Sequence, residues 1–407
     1  MKLIHNKSIS GFLIVCCLFF AAAVSVNSDA LNSLALYVAI PLAFLLSYFH
    51  VGKIAPNKYM SILMAIYIWD CISLIWAAYP ESSSRELHRI LGAFLLSYIM
   101  ATNGNSIKMC KYLYVTFFVL YIGAWYYSYN NSLVVMDMTS DADRLNDDKL
   151  NANTMAYYTF YVTMGAFLLS YLIKSVKWNK FFKILFLAML PISFFVAIFT
   201  ASRQVLIIQI PLMSFLIYER YLKEAKLSTK MIFLLCAIIA IISVLPKAIE
   251  IYDNSYLAVR AQKKLEEDSR WFLMWDAIQV GINHFPFGVG AGNYINYSFN
   301  KHFSHCSYAE LFANNGIVGL SLYCYLILYF IKVQWKRYRK TLDRKFIVFL
   351  VFGIIYAIDQ LFYVFYIDLW LIAFFILVAT HSDTYYDSLN MSNYNSQKHT
   401  IQVKTKV

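Results

Sequence analysis

The sequence predicts an all-α integral membrane protein with about twelve transmembrane helices and a large outer loop that contains short amphipathic helices. Three observations predict this fold class. Of the 407 residues, 60% are hydrophobic and only 14% are charged, whereas a soluble domain carries about 25% charged residues. Apolar runs near the roughly 20 residues that one spanning helix needs recur along the chain. Lysine and arginine gather in alternate connections between these runs. A cytosolic enzyme, a disordered protein and a secreted disulfide-rich domain are thereby excluded.

Ten apolar runs and one longer apolar stretch predict the individual helices. The runs lie near residues 10–26, 30–49, 59–78, 88–102, 110–128, 154–173, 184–200, 204–218, 231–246 and 308–331. The stretch 346–380 is long enough for two short helices joined by a turn near Asp359 and Asp368, which makes twelve. The predicted regions are 1–246 with nine helices and a smaller outer loop at 129–153, 247–307 as the large outer loop, 308–381 with three helices, and 382–407 as a disordered cytoplasmic tail.

The distribution of positive charge predicts how these helices are oriented. The chain contains 35 Lys and Arg residues against 23 Asp and Glu residues, which gives a net charge of +12. Of the 35 positive residues, 24 lie in alternate connections and in the two terminal segments. Because the cytoplasmic connections of membrane proteins are enriched in Lys and Arg, both termini are predicted to be cytoplasmic. The positive charge is therefore explained by orientation in the lipid bilayer, and no nucleic-acid partner is predicted.

The large loop 247–307 contains two recognisable patterns. After Ser269, apolar residues recur every three or four positions, at Trp271, Trp275, Ile278 and Ile282. This spacing predicts an amphipathic helix that could lie along the membrane surface. The glycine-rich run 286–292 follows it. A dinucleotide site is excluded because no strand precedes the run. A tight turn and an anion-binding nest are the two remaining interpretations, and the turn is favoured.

His305 is the candidate general base of the large loop. It precedes Ser307-Tyr-Ala-Glu310, which has the spacing of a capping box and predicts the N-terminus of the tenth spanning helix. The unpaired amides and the dipole at such a terminus favour negative charge and disfavour an imidazolium. A neutral His305 would be suited to accept a proton. The alternative is an exposed loop histidine without a role.

Four other charged residues are candidates for a functional role. Arg203 lies at the outer mouth of the eighth helix, where the alternative is an arginine that snorkels to the interface. Arg270 opens the surface helix, an unfavourable end for a cation unless a partner such as Asp268 or an anionic ligand is present. Arg144 lies in the smaller outer loop, with a solvated role as the alternative. Asp359 lies at the edge of an apolar run. It is interpreted either as a functional carboxylate or as a turn residue.

No cofactor or metal is predicted from the sequence. The seven cysteines lie mostly inside apolar runs, and none of them has the spacing of metal ligands.

Several segments resemble the O-antigen ligase and O-antigen polymerase family in order and topology between about residues 65 and 330. The segments are Ser73-Leu-Ile-Trp76 with Pro80 and Ser82, Arg144-Leu-Asn146 with Asn151 and Asn153, Thr200-Ala-Ser202-Arg203, and Arg270-Trp271 followed by Pro286, Gly288 and Gly290. The most specific one is His305, eleven residues before Gly316, with Gly319 three further on. The ligase pattern has a polar residue directly after the histidine, and this chain departs from it with Cys306.

The resemblance implies a metal-independent glycosyltransferase of the bacterial inner membrane, with its active site on the periplasmic side. Such enzymes transfer a glycan from undecaprenyl diphosphate to a lipid A core sugar, as ligases, or to a lipid-linked repeat, as polymerases. By position, His305 would deprotonate the acceptor hydroxyl. Arg203 and Arg270 would bind the donor diphosphate, with Arg144 and Asp359 as accessory binding residues. Other polysaccharide-assembly proteins are further expected partners.

Two other classes compete with this interpretation. A transporter for lipid-linked glycans would be expected to show repeats, interrupted helices and ionisable groups at mid-membrane depth. The distinctive polar residues here gather instead at one face and in one loop. A non-catalytic scaffold of an assembly complex would make His305 and Arg270 dispensable.

Overall fold

The computed structural model describes residues 7–26, 29–53, 56–130, 152–173, 175–200, 202–232, 269–299 and 301–404, together with residues 235 and 250. These residues are helical or form turns and connections, and none of them lies in a strand. The all-α prediction is thereby confirmed for the described part of the chain. The smaller outer loop, with Arg144, lies outside the described residues, as does most of the predicted helix 231–246 and the first part of the large loop.

The described helices follow the apolar runs of the sequence. They are α1 Lys7–Val24, α2 Asp29–Leu34, α3 Ile40–Val51, α4 Lys58–Ser73, α5 Pro80–Asn103, α6 Ile107–Asn130, α7 Ala152–Leu172, α8 Val176–Phe199, α9 Arg203–Ile217, α10 Ser269–Asn283, α11 Tyr294–Tyr297, α12 Ser307–Thr341, α13 Lys345–Asp359 and α14 Leu369–Lys404. Two π-helical segments, Ala35–Ala39 and Tyr218–Leu222, join α2 to α3 and extend α9.

Three helical segments among the described residues are long and apolar enough to cross a membrane: Asp29–Val51, Val176–Ala197 and Ser307–Thr341. The first of these combines α2, the π-helical segment and α3. Two shorter apolar helical segments lie at Ser8–Val24 and Val205–Ile217. The predicted total of twelve spans therefore stays a prediction.

The chain divides into two compact units, the first formed by residues 1–18, 36–113 and 273–407. In this unit α12 packs against α4 and α13, and α14 packs most extensively against α5. Aromatic residues fill the space between the last three helices. Phe375 of α14 stacks on Tyr356 with ring centroids 4.5 Å apart and contacts Phe330 of α12 edge-on at 5.2 Å. Such contacts add specific geometry to the burial of apolar surface.

Polar contacts gather at two ends of the first unit. At the basic end, Tyr98 Oη donates a hydrogen bond to the Lys53 carbonyl, and Asn57 Nδ2 donates one to Thr380. The second polar end contains the α4–α5 connection, residues 284–306, the start of α12 and the α13–α14 turn. These contacts join the α3–α4 connection to α5 and α14.

The prediction of a disordered tail from residue 382 is wrong for most of that segment, because α14 remains helical through Lys404. Arg337 of α12 explains why the first part of the tail is ordered. Its guanidinium lies 2.7 Å from a carboxylate oxygen of Asp383 and donates a hydrogen bond to Ser382 Oγ. The first polar residues of the predicted tail thus make specific contacts with the end of α12.

The second unit comprises residues 19–35 and 114–272. Helix α7 packs along α8, and α9 contacts both of them. A buried polar contact joins α8 and α9, in which Gln209 Nε2 donates to Ser193 Oγ. Pairing of these two side chains satisfies polar groups that would be costly to bury alone.

Candidate functional site

The glycine loop, residues 284–293, is fixed to the protein by its own backbone amides. Gly288, Val289 and Gly290 donate to the carbonyl oxygens of His284, Ala313 and Asn314, respectively, at 2.8–2.9 Å. The next amide, that of Ala291, donates to Ser73 Oγ at 2.9 Å. These amides bind acceptors within the protein, so they are not arranged as an anion nest. The loop is instead a turn that is hydrogen-bonded to Ser73 of α4 and to the first turns of α12. This is the interpretation that the sequence favoured.

Asn293 attaches the end of the glycine loop to the α4–α5 connection. Its Oδ1 accepts a hydrogen bond from the Tyr79 amide at 2.8 Å, and its Nδ2 donates to Ser83 Oγ at 2.6 Å. The side chain is fully buried. Because the oxygen and the nitrogen of this side-chain amide both make hydrogen bonds, Asn293 fixes the position of the loop as well as its orientation.

A chain of hydrogen bonds leads from the loop to a buried carboxyl group. The Tyr294 amide donates to Asn314 Oδ1 at 2.7 Å, Asn314 Nδ2 donates to Tyr366 Oη at 2.9 Å, and Tyr366 Oη donates to Glu86 at 3.0 Å. The Gly292 amide also donates to the Glu86 carboxylate. Four segments of the first unit therefore meet at Glu86, which lies ahead of the predicted span 88–102.

The environment of Glu86 favours its neutral form. The side chain is only 7% exposed, and burial raises its pKa to about 7. The Tyr366 hydroxyl, Arg89 and the Gly292 amide oppose this increase because they stabilise the charged form. The carboxyl group is consequently close to half-protonated at neutral pH.

His305 lies in the short connection that precedes α12, and its backbone is left-handed, with a φ of 57°. This conformation is uncommon for a residue with a side chain. The side chain is half-buried. Both neighbours of His305 are fixed: the Ser304 amide donates to Glu310 at 2.8 Å, and the Cys306 amide donates to Ser304 Oγ at 3.1 Å. The structure thus holds the predicted base in a defined, strained backbone conformation.

The predicted capping box at the start of α12 is wrong. Cys306 is the N-cap residue and makes no side-chain cap hydrogen bond. Ser307 Oγ instead accepts a hydrogen bond from the Phe365 amide and donates to the Tyr363 carbonyl, both in the α13–α14 turn. Glu310 reaches past the helix terminus to Ser304. The spacing is correct for a box, but tertiary contacts to the turn take the Ser307 hydroxyl.

Asp359 is the last residue of α13 and is almost completely buried. The carbonyl of its neighbour Gln360 accepts a hydrogen bond from the Ser307 amide at 2.8 Å. Tyr308 Oη donates to the Ala357 carbonyl at 2.9 Å. The end of α13 therefore contacts the start of α12 at Ser307 and Tyr308, which follow His305 by two and three positions in the sequence.

The candidate arginines belong to the second unit, whereas His305 and Asp359 belong to the first. Arg203 is the first residue of α9, and Arg270 is a half-buried residue in the first turn of α10. Arg203 thus begins α9, and Arg270 lies at the N-terminal end of α10, where the sequence placed it. Arg144 lies outside the described residues.

The amphipathic helix predicted after Ser269 is confirmed as α10. Its buried residues include Leu273, Ala277 and Val280, and the last two pack in a small apolar cluster with Cys306. Trp271 and Trp275 are more than half exposed. The aromatic residues of the predicted apolar face therefore lie on the exposed side of α10. Burial in this cluster raises the pKa of the Cys306 thiol.

Sequence reasoning missed Glu86 and Tyr366 and assigned Glu310 to the wrong contact. A signal for Glu86 was present, because Ser83, Glu86, Ile90 and Ala93 follow helical spacing and are all buried on α5. An ionisable residue on the buried face of an apolar helix is a functional candidate. Tyr366 gave no comparable signal, since its role depends on how the α13–α14 turn folds back.

Among the residues that the structure describes, no group of three or more His, Cys, Asp or Glu side chains is placed to hold a metal ion. In comparisons with known proteins, no family model and no curated protein sequence matches the chain.

Proposed function

We propose that this protein transfers a glycan from undecaprenyl diphosphate to an acceptor sugar hydroxyl at the periplasmic face of the bacterial inner membrane. The activity would be that of an O-antigen ligase, with His305 as the general base. The observation that carries the proposal is the left-handed backbone of His305, which is fixed on both sides by buried hydrogen bonds. Strain of this kind is concentrated at functional sites.

In the proposed reaction the acceptor hydroxyl oxygen attacks the anomeric carbon of the donor sugar. His305 takes the hydroxyl proton, and the bond between the sugar and the phosphate oxygen breaks. Undecaprenyl diphosphate leaves with the electron pair, and attack from the opposite face inverts the anomeric centre. Arg203 and Arg270 would bind the diphosphate, since guanidinium groups offer paired donors to phosphate oxygens. Removing one such fixed cation typically costs about 3–4 kcal/mol of transition-state stabilisation.

Contacts among the residues that carry the family resemblance support the proposal. Ser73 accepts the Ala291 amide, and a side-chain carbon on Gly290 would lie 2.6 Å from Ala77 Cβ. The Ile317 amide, next to Gly316, donates to the Pro286 carbonyl at 3.0 Å. Segments that are far apart in sequence thus form one surface beside the start of α12. The full topology of about twelve spans with both termini cytoplasmic belongs to the same proposal.

A polymerase of the same family remains the second candidate, and Cys306 is the observation that favours it. The ligase pattern has a polar residue at this position, whereas the Cys306 side chain is buried in an apolar cluster. Deletion of the gene with analysis of the surface glycan distinguishes the two activities. Loss of all attached long chains would identify a ligase, and attachment of a single repeat would identify a polymerase.

Replacement of His305 in a complementing copy tests the mechanism. His305→Asn removes the imidazole but retains a residue type that tolerates a left-handed backbone, so we expect glycan transfer to fall by about 100-fold or more. His302→Asn is the matched control, because His302 is exposed in the same connection. Glycan transfer by His305→Asn at the wild-type rate, with equal protein in the membrane, would remove the base assignment.

A further inference from the structure

We propose that Glu310 is the positioning residue of His305, acting through Ser304. The catalytic meaning of this inference rests on the proposed function. The positioning itself is a property of the fold and can be measured separately. Glu310 lies one turn inside α12, and its own amide donates to the Cys306 carbonyl at 3.0 Å. Its side chain is thereby carried by the first turn of the helix that follows His305.

The Glu310 carboxyl group makes two hydrogen-bond contacts with Ser304, the residue that precedes His305. Both the amide and the hydroxyl of Ser304 lie within hydrogen-bond distance of the same oxygen, Oε2, at 2.8 and 2.9 Å. Ser304 is fully buried and Glu310 is 2% exposed. Because both side chains are buried, these hydrogen bonds lie in a low-dielectric environment, where they are stronger than in water.

Ser304 carries this constraint across His305 to Cys306. The Cys306 amide donates to Ser304 Oγ at 3.1 Å, and the Cys306 carbonyl lies 2.9 Å from the same hydroxyl oxygen. Since a hydroxyl has one proton, it can donate either to Glu310 or to the Cys306 carbonyl at a given moment. In both arrangements the residues on either side of His305 are joined. The left-handed conformation of His305 is thus enforced by its surroundings.

Chemical modification of His305 tests the positioning without relying on glycan transfer. The full-length protein is purified in detergent and treated with diethyl pyrocarbonate at neutral pH, and modification is measured by peptide mass spectrometry. His302, which is exposed in the same connection, is the internal reference. We expect Glu310→Ala to raise the ratio of His305 to His302 modification by about tenfold, since loss of buried hydrogen bonds releases the segment.

Two further variants separate positioning from general damage. Glu310→Gln keeps a side-chain oxygen that can accept both bonds from Ser304, so its ratio is expected to stay within about twofold of wild type. Gln334→Ala removes a buried polar side chain from the opposite end of the same helix, where Gln334 accepts a hydrogen bond from Ser382. In Gln334→Ala the ratio of His305 to His302 modification is expected to be unchanged. If Glu310→Ala does not yield folded protein, Ser304→Ala provides the test and is expected to raise the ratio.

An unchanged ratio in Glu310→Ala, or in Ser304→Ala where that variant replaces it, would overturn the inference. An equal increase in Gln334→Ala would also overturn it, because the effect would then be general. Glycan assembly by the same variants separates this result from the proposed function. If the ratio rises in Glu310→Ala but His305→Asn retains full transfer, the positioning is correct and the proposed function is wrong. If His305→Asn is inactive and the ratio does not change, the positioning alone is wrong.

Discussion

Glu86 shows how a single buried carboxyl group can connect several segments. It accepts hydrogen bonds from Tyr366 and from the Gly292 amide, and it interacts electrostatically with the carboxyl group of Glu310. Two acidic side chains in one buried region repel each other when both are ionised. The protonation state of Glu86 therefore influences how firmly the glycine loop is held.

Stability is expected to depend on pH through Glu86. Its pKa is raised from 4.5 to about 7 in the folded protein, so between these values the folded state binds more protons than the unfolded state. Stability then falls as pH rises from about 4.5 to about 7 and is independent of this group above that range, a total change of about 3 kcal/mol. Thermal unfolding of the purified protein across this pH range measures the effect.

Two glutamine variants identify the group responsible for this pH dependence. Glu86→Gln cannot titrate and should lose the part of the decrease between pH 4.5 and 7 that Glu86 contributes. Glu81→Gln, at an exposed position in the first turn of the same helix, should retain it. Equal pH profiles for the wild type and Glu86→Gln would show that Glu86 does not carry the dependence.

His305 illustrates what the sequence could and could not predict at the level of one residue. The spacing to Gly316 and the start of an apolar run located His305 directly before a spanning helix, and α12 begins at Ser307. Its left-handed backbone and its support by Ser304 could not be predicted. They depend on a contact from Glu310 that competes with the local capping pattern.

At the scale of elements, α12 changes direction near its start. Gly316 has a φ of 62° and a ψ of −162° inside the helix, a conformation that is essentially restricted to glycine. A side-chain carbon there would collide with the Pro286 carbonyl oxygen and lie 2.8 Å from Phe287 Cα. The close approach of the glycine loop to α12 thus requires glycine at this position.

Gly316→Ala is expected to destabilise the protein by at least about 3 kcal/mol, because it adds backbone strain and a steric overlap. Gly52→Ala is a useful comparison, since Gly52 also has a positive φ of 68° but no atom lies within 4 Å of its added carbon. It should cost only about 1–2 kcal/mol. Thermal unfolding of both variants measures the difference, and equal losses would contradict the role of crowding.

The positions of the helices were predictable from hydropathy, but several boundaries were not. The run 59–78 predicted a longer helix than α4, which ends at Ser73. Ser73 Oγ donates to the Asp70 carbonyl and accepts the Ala291 amide, so the chain turns there to meet the glycine loop. The start of the polar segment from residue 382 was missed for a similar reason, since Arg337 pairs with Asp383 and donates a hydrogen bond to Ser382 there. In both cases a contact distant in sequence overrode local composition.

At the scale of the whole molecule, the charge pattern predicts the orientation of α12 in the membrane. His302 should face the periplasm and Arg339 the cytoplasm, because the positive connections are expected to be cytoplasmic. Cysteine substituted at each position should react differently with a membrane-impermeant maleimide. We expect labelling of His302→Cys in intact spheroplasts and labelling of Arg339→Cys only after lysis.

The wild-type chain, with its native cysteines, gives the background for this measurement. Labelling of Arg339→Cys in intact spheroplasts, without labelling of His302→Cys, would reverse the orientation. The alternation of charge could be predicted because it depends on composition alone. How α4, α5, α12 and α14 combine in one unit could not, since apolar faces of similar composition can pack in several ways.

The bond between Tyr366 and Glu86 joins residues that are 280 positions apart in the chain. A ribosome delivers the N-terminal part first, so Glu86 is synthesised long before its tyrosine donor. A polypeptide truncated ahead of the final helix pair would contain both His305 and Glu310. It would lack Tyr366, whose hydroxyl donates a hydrogen bond to Glu86. The hydrogen-bond network around Glu86 is therefore completed last during biosynthesis.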